Sequence, residues 1–191
     1  PERCAFASYD TGETTMNATA KTLATDLVLC ATPYDQDAPF FFFSTLEEYE
    51  SKAADLTNCY GQPVEEFMIE FISGDELDCG VAKAVKLDQC NFAKFIEAAE
   101  EWNNFEKTVA LCALNSYSNL SLDDDPHRRE VAIFRVESLS ELAEQFVEEG
   151  LYGEIPDHLS RYIDYEAIGR DLRFDCHEIT IAGETFFYSM N

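Results

Sequence analysis

Apolar and polar positions repeat along this chain with two different periods, and each period places elements. Phe67, Ile69 and Phe71 are separated by Met68 and Glu70, the two-residue repeat of a strand, within a span 64–72 that Gly74 closes. Residues 130–136 alternate in the same way. Residues 22–30 are dense in aliphatic and β-branched side chains and read as a strand, and Phe40 to Phe43 reads as a short buried one; Pro33 and Pro39 place a loop between them. Near the end, 178–181 and 185–188 flank Ala182-Gly183-Glu184, a hairpin with glycine in its turn.

Elsewhere the apolar spacing is three to four residues. Phe92, Phe95, Ile96 and Ala99 share one face of a helix over 88–101. Leu46, Tyr49, Ala53 and Leu56 do the same in a helix reaching about residue 58, where Gly61-Gln62-Pro63 stops it. Ser44 is its expected N-cap, with Glu47 completing a capping box. Residues 75–86 read as loop and short helix. Trp102-Asn103-Asn104 interrupts the chain before a helix over 105–114, with Val109, Cys112 and Ala113 inward. Ser138 and Glu141 open another capping box, and Gly150 ends that helix. Shorter helices follow over 155–162 and 165–172. The stretch 115–127, rich in Ser, Asn and Asp, reads as a linker. The expected class is α+β, with a mixed region over 1–60, a mainly helical one over 61–122, and a small antiparallel sheet with helices over 123–191; the length suits one or two compact domains or three very small ones.

Charge changes this picture most. The 191 residues hold 38 Asp and Glu against 13 Lys and Arg, a net −25 at pH 7. The excess is spread along the chain, at −4 over 1–46, −10 over 47–110 and −11 over 111–191. Those segments also carry periodic apolar residues, and aromatics make up 13% of the chain, so the charge belongs to a folded body rather than to a disordered tail. Such a field repels nucleic acid and anionic membranes and attracts cationic proteins. No apolar run approaches the roughly 20 residues of a membrane span. No leader with a basic start and an apolar stretch is visible, so the expected location is the cytoplasm. The seven cysteines form no CxxC pair and read as free thiols.

The acids fall in stripes. Glu137, Glu141, Glu144 and Glu148 are spaced four, three and four, opposite Leu139, Leu142, Phe146 and Val147. At helical rise, neighbouring carboxylates stand roughly 4.5–6 Å apart along the axis. Like charges there repel by a few tenths of a kcal/mol per pair, and that helix holds no Lys or Arg to relieve them. Glu149 extends the stripe, and similar groups are Glu47, Glu48 and Glu50; Glu65, Glu66 and Glu70; Glu97, Glu100 and Glu101; and Asp123, Asp124 and Asp125. Two causes produce such a skin: selection for a negative binding face, and adaptation to high salt. Duplex DNA supplies a scale, with one charge per ~1.7 Å of axis; two copies of the chain match the charge of roughly 85 Å of duplex at that spacing.

Catalytic chemistry finds little support. His127, His158 and His177 form no HExxH pattern, and no glycine-rich phosphate loop is present. Asp123 to Asp125 lacks the spacing of an EF-hand. No metal and no cofactor is expected.

One block carries a family likeness. Residues 155–172 follow the pattern I-P-x-x-L-x-x-Y-I-D-Y-E-A-x-x-R-D-L, preceded by Ser138-Leu139-Ser140-Glu141-Leu142-Ala143-Glu144 and followed by the closing hairpin. This text resembles the ArdA antirestriction family over about 130–191, and 44–114 is similar more loosely, in helix order and acidity. The resemblance implies an acidic homodimer of a mobile element or phage, each copy an elongated chain of three small domains over 1–60, 61–122 and 123–191. Such proteins imitate bent B-form DNA and occupy the DNA groove of type I restriction–modification enzymes without catalysing a reaction. It also implies dimerisation through the last domain, where Tyr162, Ile163, Tyr165, Phe186 and Tyr188 are candidates for dimer or core contacts. Arg161, Arg170 and Arg173 are expected to pair locally with Asp164, Asp171 or Asp175. A DNA mimic aimed at another host system, such as a CRISPR effector or a nucleoid protein, is the alternative target reading. An acidic enzyme or metal-binding protein is the alternative class.

Overall fold

A computed structural model of the chain describes residues 27–190. The expected strand over 22–30 lies partly outside that range. Within it, the first strand, β1, spans Val28–Pro33, so Pro33 closes the strand instead of marking the loop. β2 (Phe41–Phe43) and β3 (Phe67–Ser73) pair with it, both antiparallel, in the order β2-β1-β3. Strand alternation sorts the side chains by face. Leu29, Ala31, Phe43, Phe67 and Ile69 are buried on one side. Phe40 and Phe42, expected to be buried, are exposed, because a three-residue edge strand turns every second side chain outward. The sheet draws strands from both sides of residue 60.

Four helices follow the same logic. α1 (Leu46–Asp55) buries Tyr49, whose ring sits among Phe41, Phe43, Phe67 and Phe92, with the Phe92 centroid 4.5 Å away. Its N-cap is Thr45, one residue later than expected. The Glu48 N–H donates to Thr45 Oγ1 (3.2 Å), and Glu48 Oε2 accepts from the Ser44 N–H (2.8 Å). α2 (Glu76–Ala84) is capped by Asp75. α3 (Phe92–Glu101) buries Phe92, Phe95 and Ile96 as its periodicity requires. α4 (Asn104–Ser116) begins at a full capping box between Asn103 and Glu106, at the very place read only as an interruption. Val109, Cys112 and Ala113 are buried in it.

The stretch read as a linker is packed instead. It forms two 3-10 turns, Leu122–Asp124 and Pro126–Arg128, that bury Leu122 and Pro126. The His127 ring lies 4.4 Å from that of Trp102. Serine, asparagine and aspartate predict exposed backbone, but here they act as local caps: Asp124 Oδ2 accepts from both the N–H and the hydroxyl of Ser121 (2.9 Å each).

The second sheet is β4 (Val131–Phe134), β5 (His177–Ile181) and β6 (Glu184–Met190), antiparallel in the order β4-β6-β5. Ala182 and Gly183, both with positive φ, make the two-residue hairpin turn. β6 is the central strand and faces two ways. Phe186 joins the large core that also holds Leu29, Tyr49 and Phe95. Phe187 joins a second core with Val136, Leu142, Phe146 and Leu172. The helices of that second core are α5 (Leu139–Glu148) and α7 (Tyr165–Leu172), with the single-turn α6 (Asp157–Ser160) between them. α5 and α7 touch at Gly169, where an added Cβ would lie 2.9 Å from the Leu139 carbonyl carbon. The α+β class holds, with two small antiparallel sheets and helices packed around them.

Candidate functional site

The acids that the sequence singles out are placed by helix starts and strand faces. On α5, Ser138 caps the first turn by accepting from the Glu141 N–H (3.2 Å). The Glu141 carboxylate reaches one residue further back than a capping box does, to the Glu137 N–H (2.8 Å). α1 starts with the same arrangement at Glu48. Both glutamates therefore do structural work while remaining exposed, and negative charge in a first turn also complements the helix dipole.

All the expected surface acids are exposed. That holds for Glu47, Glu48 and Glu50 on α1, for Glu65 and Glu66 before β3, and for Glu70 on its outer face. It holds equally for Glu97, Glu100 and Glu101 on α3 and for Asp123, Asp124 and Asp125 in the turns. Glu137, Glu141, Glu144, Glu148 and Glu149, at and along α5, complete the set. Among the described residues, Glu48 lies 4.0 Å from Lys52 and Asp123 lies 3.0 Å from Lys94, and none of the others has a cation within ion-pair distance. Hydrogen bonds from Ser121 hold the Asp124 carboxyl below its ordinary pKa, so it stays ionised well into mild acid.

One acid is used differently. Asp78 of α2 is buried and paired with the buried Lys107 of α4, whose ammonium also donates to the Ala99 carbonyl (3.1 Å). Burial pushes the Asp78 carboxyl above its usual range, and Lys107 opposes that shift without cancelling it. Periodicity gave no signal for this pair, since a lone Asp and a lone Lys in amphipathic helices read as surface residues.

The aromatic candidates separate by burial. Phe186 and Tyr188 are core, and the Tyr188 hydroxyl accepts from Asn115 Nδ2 (2.9 Å) and shares a hydrogen bond with Ser116 Oγ (2.9 Å). Tyr165 is half-buried against the second core, and Ile163 is half-buried. Tyr162 is 74% exposed, and Leu159, whose carbonyl accepts from the Tyr162 N–H (2.9 Å), is 46% exposed. The expected arginine pairs do not form among the described residues; Arg161 lies over the Tyr162 ring instead, 5.3 Å from its centroid.

Among the described residues, no three His, Cys, Asp or Glu side chains gather closely enough to hold a metal ion. His127 stacks on Trp102, and His177 lies 5.5 Å from the Tyr188 ring. No described helix is long and apolar enough to cross a membrane.

The family model for the antirestriction protein ArdA matches residues 36–186. The chain belongs to the ArdA family. The match begins far ahead of the C-terminal block that carried the likeness, and it takes in every acid named above. A search of curated proteins finds no match to the chain. As an ArdA protein, the chain is of an antirestriction family, and its relevant counterparts are restriction–modification systems. The ArdA match also spans Tyr162, Ile163, Tyr165 and Phe186, and it ends two residues before Tyr188.

Proposed function

We propose that this ArdA protein is a B-form DNA mimic that occupies the DNA-binding groove of type I restriction–modification enzymes, acting as a homodimer in the bacterial cytoplasm. One observation carries the reading: every acid of the striped groups is exposed, and nearly all lack a cation partner among the described residues. A DNA groove holds its substrate chiefly through Lys and Arg set against phosphates. Unpaired carboxylates on helix faces answer the same side chains. They present no base edges, so binding is indifferent to the enzyme's recognition sequence. A rigid surface that already follows a bent path also avoids the roughly 1–6 kcal/mol needed to bend DNA. No step of bond chemistry is involved. In the homodimer, the exposed Tyr162 and the half-buried Ile163 supply contact, while Phe186 and Tyr188 serve the fold beneath.

The deciding experiment is competition between the purified protein and duplex DNA for a type I methyltransferase core, run from about 50 to about 500 mM salt. Inhibition weakens steeply across that range if the carboxylates carry the contact. Inhibition that stays constant refutes the electrostatic mechanism. Failure to compete, together with capture of a nucleoid protein or a CRISPR effector from host lysate, transfers the mimicry to that target.

A further inference from the structure

The helices α2 and α5 end in the same hydrogen-bonded closure, but with different residues at its hinge. At the end of α5, the Gly150 N–H donates to the Val147 carbonyl (3.1 Å) and the Leu151 N–H to the Phe146 carbonyl (2.9 Å). At the end of α2, the Lys86 N–H donates to the Lys83 carbonyl (3.2 Å) and the Leu87 N–H to the Ala82 carbonyl (3.0 Å). Both hinges are left-handed, with φ 79° at Gly150 and φ 52° at Lys86. A glycine suits that conformation and a side chain opposes it. Lys86 therefore stands where the backbone favours glycine, and the side chain it places there has a definite surrounding.

Lys86 and Lys83 line one cleft of about 720 Å³ between the end of α2, α4 and β5. That volume falls in the range of small-molecule sites. The buried Leu111, Leu114 and Ile181 give the cleft an apolar wall. One carboxylate, Glu76, lines it against the two ammonium groups. In a chain with 38 acids and 13 bases this balance is inverted locally. Among the described residues, neither lysine has a carboxylate oxygen within 4.0 Å.

We propose that this cleft binds an amphipathic organic anion, an acyl or aryl chain ending in a carboxylate or a phosphate, with the chain on the apolar wall and the head group paired to Lys83 and Lys86. None of the acids assigned to mimicry lines this cleft, although Lys83 and Lys86 also border Glu70 on their other side; binding of a small amphiphile is read without any restriction enzyme, so its failure and a failure of mimicry are distinguishable.

The test is calorimetric titration of the full chain with decanoate and with decyl phosphate, each below its micelle concentration. About 0.15 M salt screens the distant acids. Decanol and inorganic phosphate serve as controls for chain alone and charge alone. At least one of the two amphiphiles binds with a Kd below about 1 mM, as expected for a single chain and one ion pair, and the tighter of the two identifies the head group. Both controls bind at least fivefold more weakly. Lys86→Gly raises Tm by about 2 °C, because glycine relieves the hinge, yet weakens the amphiphile at least fivefold. A purely structural lysine would move Tm and leave binding alone. Lys83→Ala, which leaves the left-handed hinge untouched, weakens binding by a similar factor. The proposal is overturned if neither amphiphile binds, if decanol or inorganic phosphate binds as tightly as they do, or if both variants retain wild-type affinity.

Discussion

Gly169 offers the sharpest test of how α5, the helix with the longest acid stripe, is held. It lies buried in α7, and a Cβ built on it would stand 2.9 Å from the Leu139 carbonyl carbon, 3.0 Å from the Leu139 oxygen and 3.0 Å from the Ser140 nitrogen. All three are backbone atoms at the start of α5, so no rotamer change can yield. Carbon contacts are comfortable at roughly 3.5–4.0 Å, which means Gly169→Ala forces the two helices apart by about half an ångström or more. Overpacking of that kind costs about 1–3 kcal/mol. Alanine returns up to about 1 kcal/mol of helix propensity. Three unyielding backbone contacts place this site in the upper part of the overpacking range, about 2–3 kcal/mol, so the net expectation is a loss of about 1–3 kcal/mol, read as a fall of about 2–12 °C in Tm for a chain of this size. Thermal and urea melts followed by circular dichroism measure it. The two contributions have opposite signs, so the outcome is decisive: a variant as stable as the parent, or more so, would show that α5 and α7 are not in contact as described.

Four further outcomes follow from buried groups. Asp78→Ala leaves Lys107 buried without its partner and destabilises by about 3–5 kcal/mol, whereas replacing both by leucine and methionine recovers most of the loss. The folded-state pKa of Asp78 lies above its unfolded value, so its contribution favours the fold below the unfolded value and is lost as pH rises through the folded one; Asp78→Asn removes that slope from urea midpoints measured between about pH 3 and pH 7. Tyr188→Phe removes the hydroxyl held by Asn115 and Ser116 and lowers stability by about 1–2 kcal/mol in urea melts, while a change within error would mean that these bonds to α4 contribute nothing net. In thiol labelling of the native protein at about pH 8 followed by peptide mapping, Cys59 and Cys90 react first among the described cysteines; Cys112 and Cys176, whose thiols burial pushes up to about 12 and about 11, react only on unfolding, and fast labelling of Cys112 would contradict its burial.

Much of the local structure was legible because it rests on interactions between near neighbours. The helix faces of α3 and α5 follow from three- and four-residue spacing, and the hairpin follows from a turn that needs Gly183. Cap positions were legible only to within a residue or so. Glu48 sits three residues after Thr45 just as Glu47 does after Ser44, and spacing alone does not choose between the two frames. The box at Asn103 and Glu106 had the same spacing but was masked by the reading of two asparagines as a break. The exposure of the striped acids was also legible, since a carboxylate opposite a continuous apolar face has nowhere else to go.

By itself, then, the sequence determined the charge, its placement on helix faces, the element types and the C-terminal block shared with ArdA. Each of these depends on composition or on residues within about a turn of one another. Only the tertiary structure decided that β3 pairs with β1, that residues 115–127 are packed against Trp102 and α4, and that Asp78 and Lys107 meet inside. It alone put Phe186 and Phe187 in two different cores and brought Lys83 and Lys86 to one cleft. Those outcomes join residues far apart in the chain. Their energies come from desolvation and close contact, which exist only once the elements have come together.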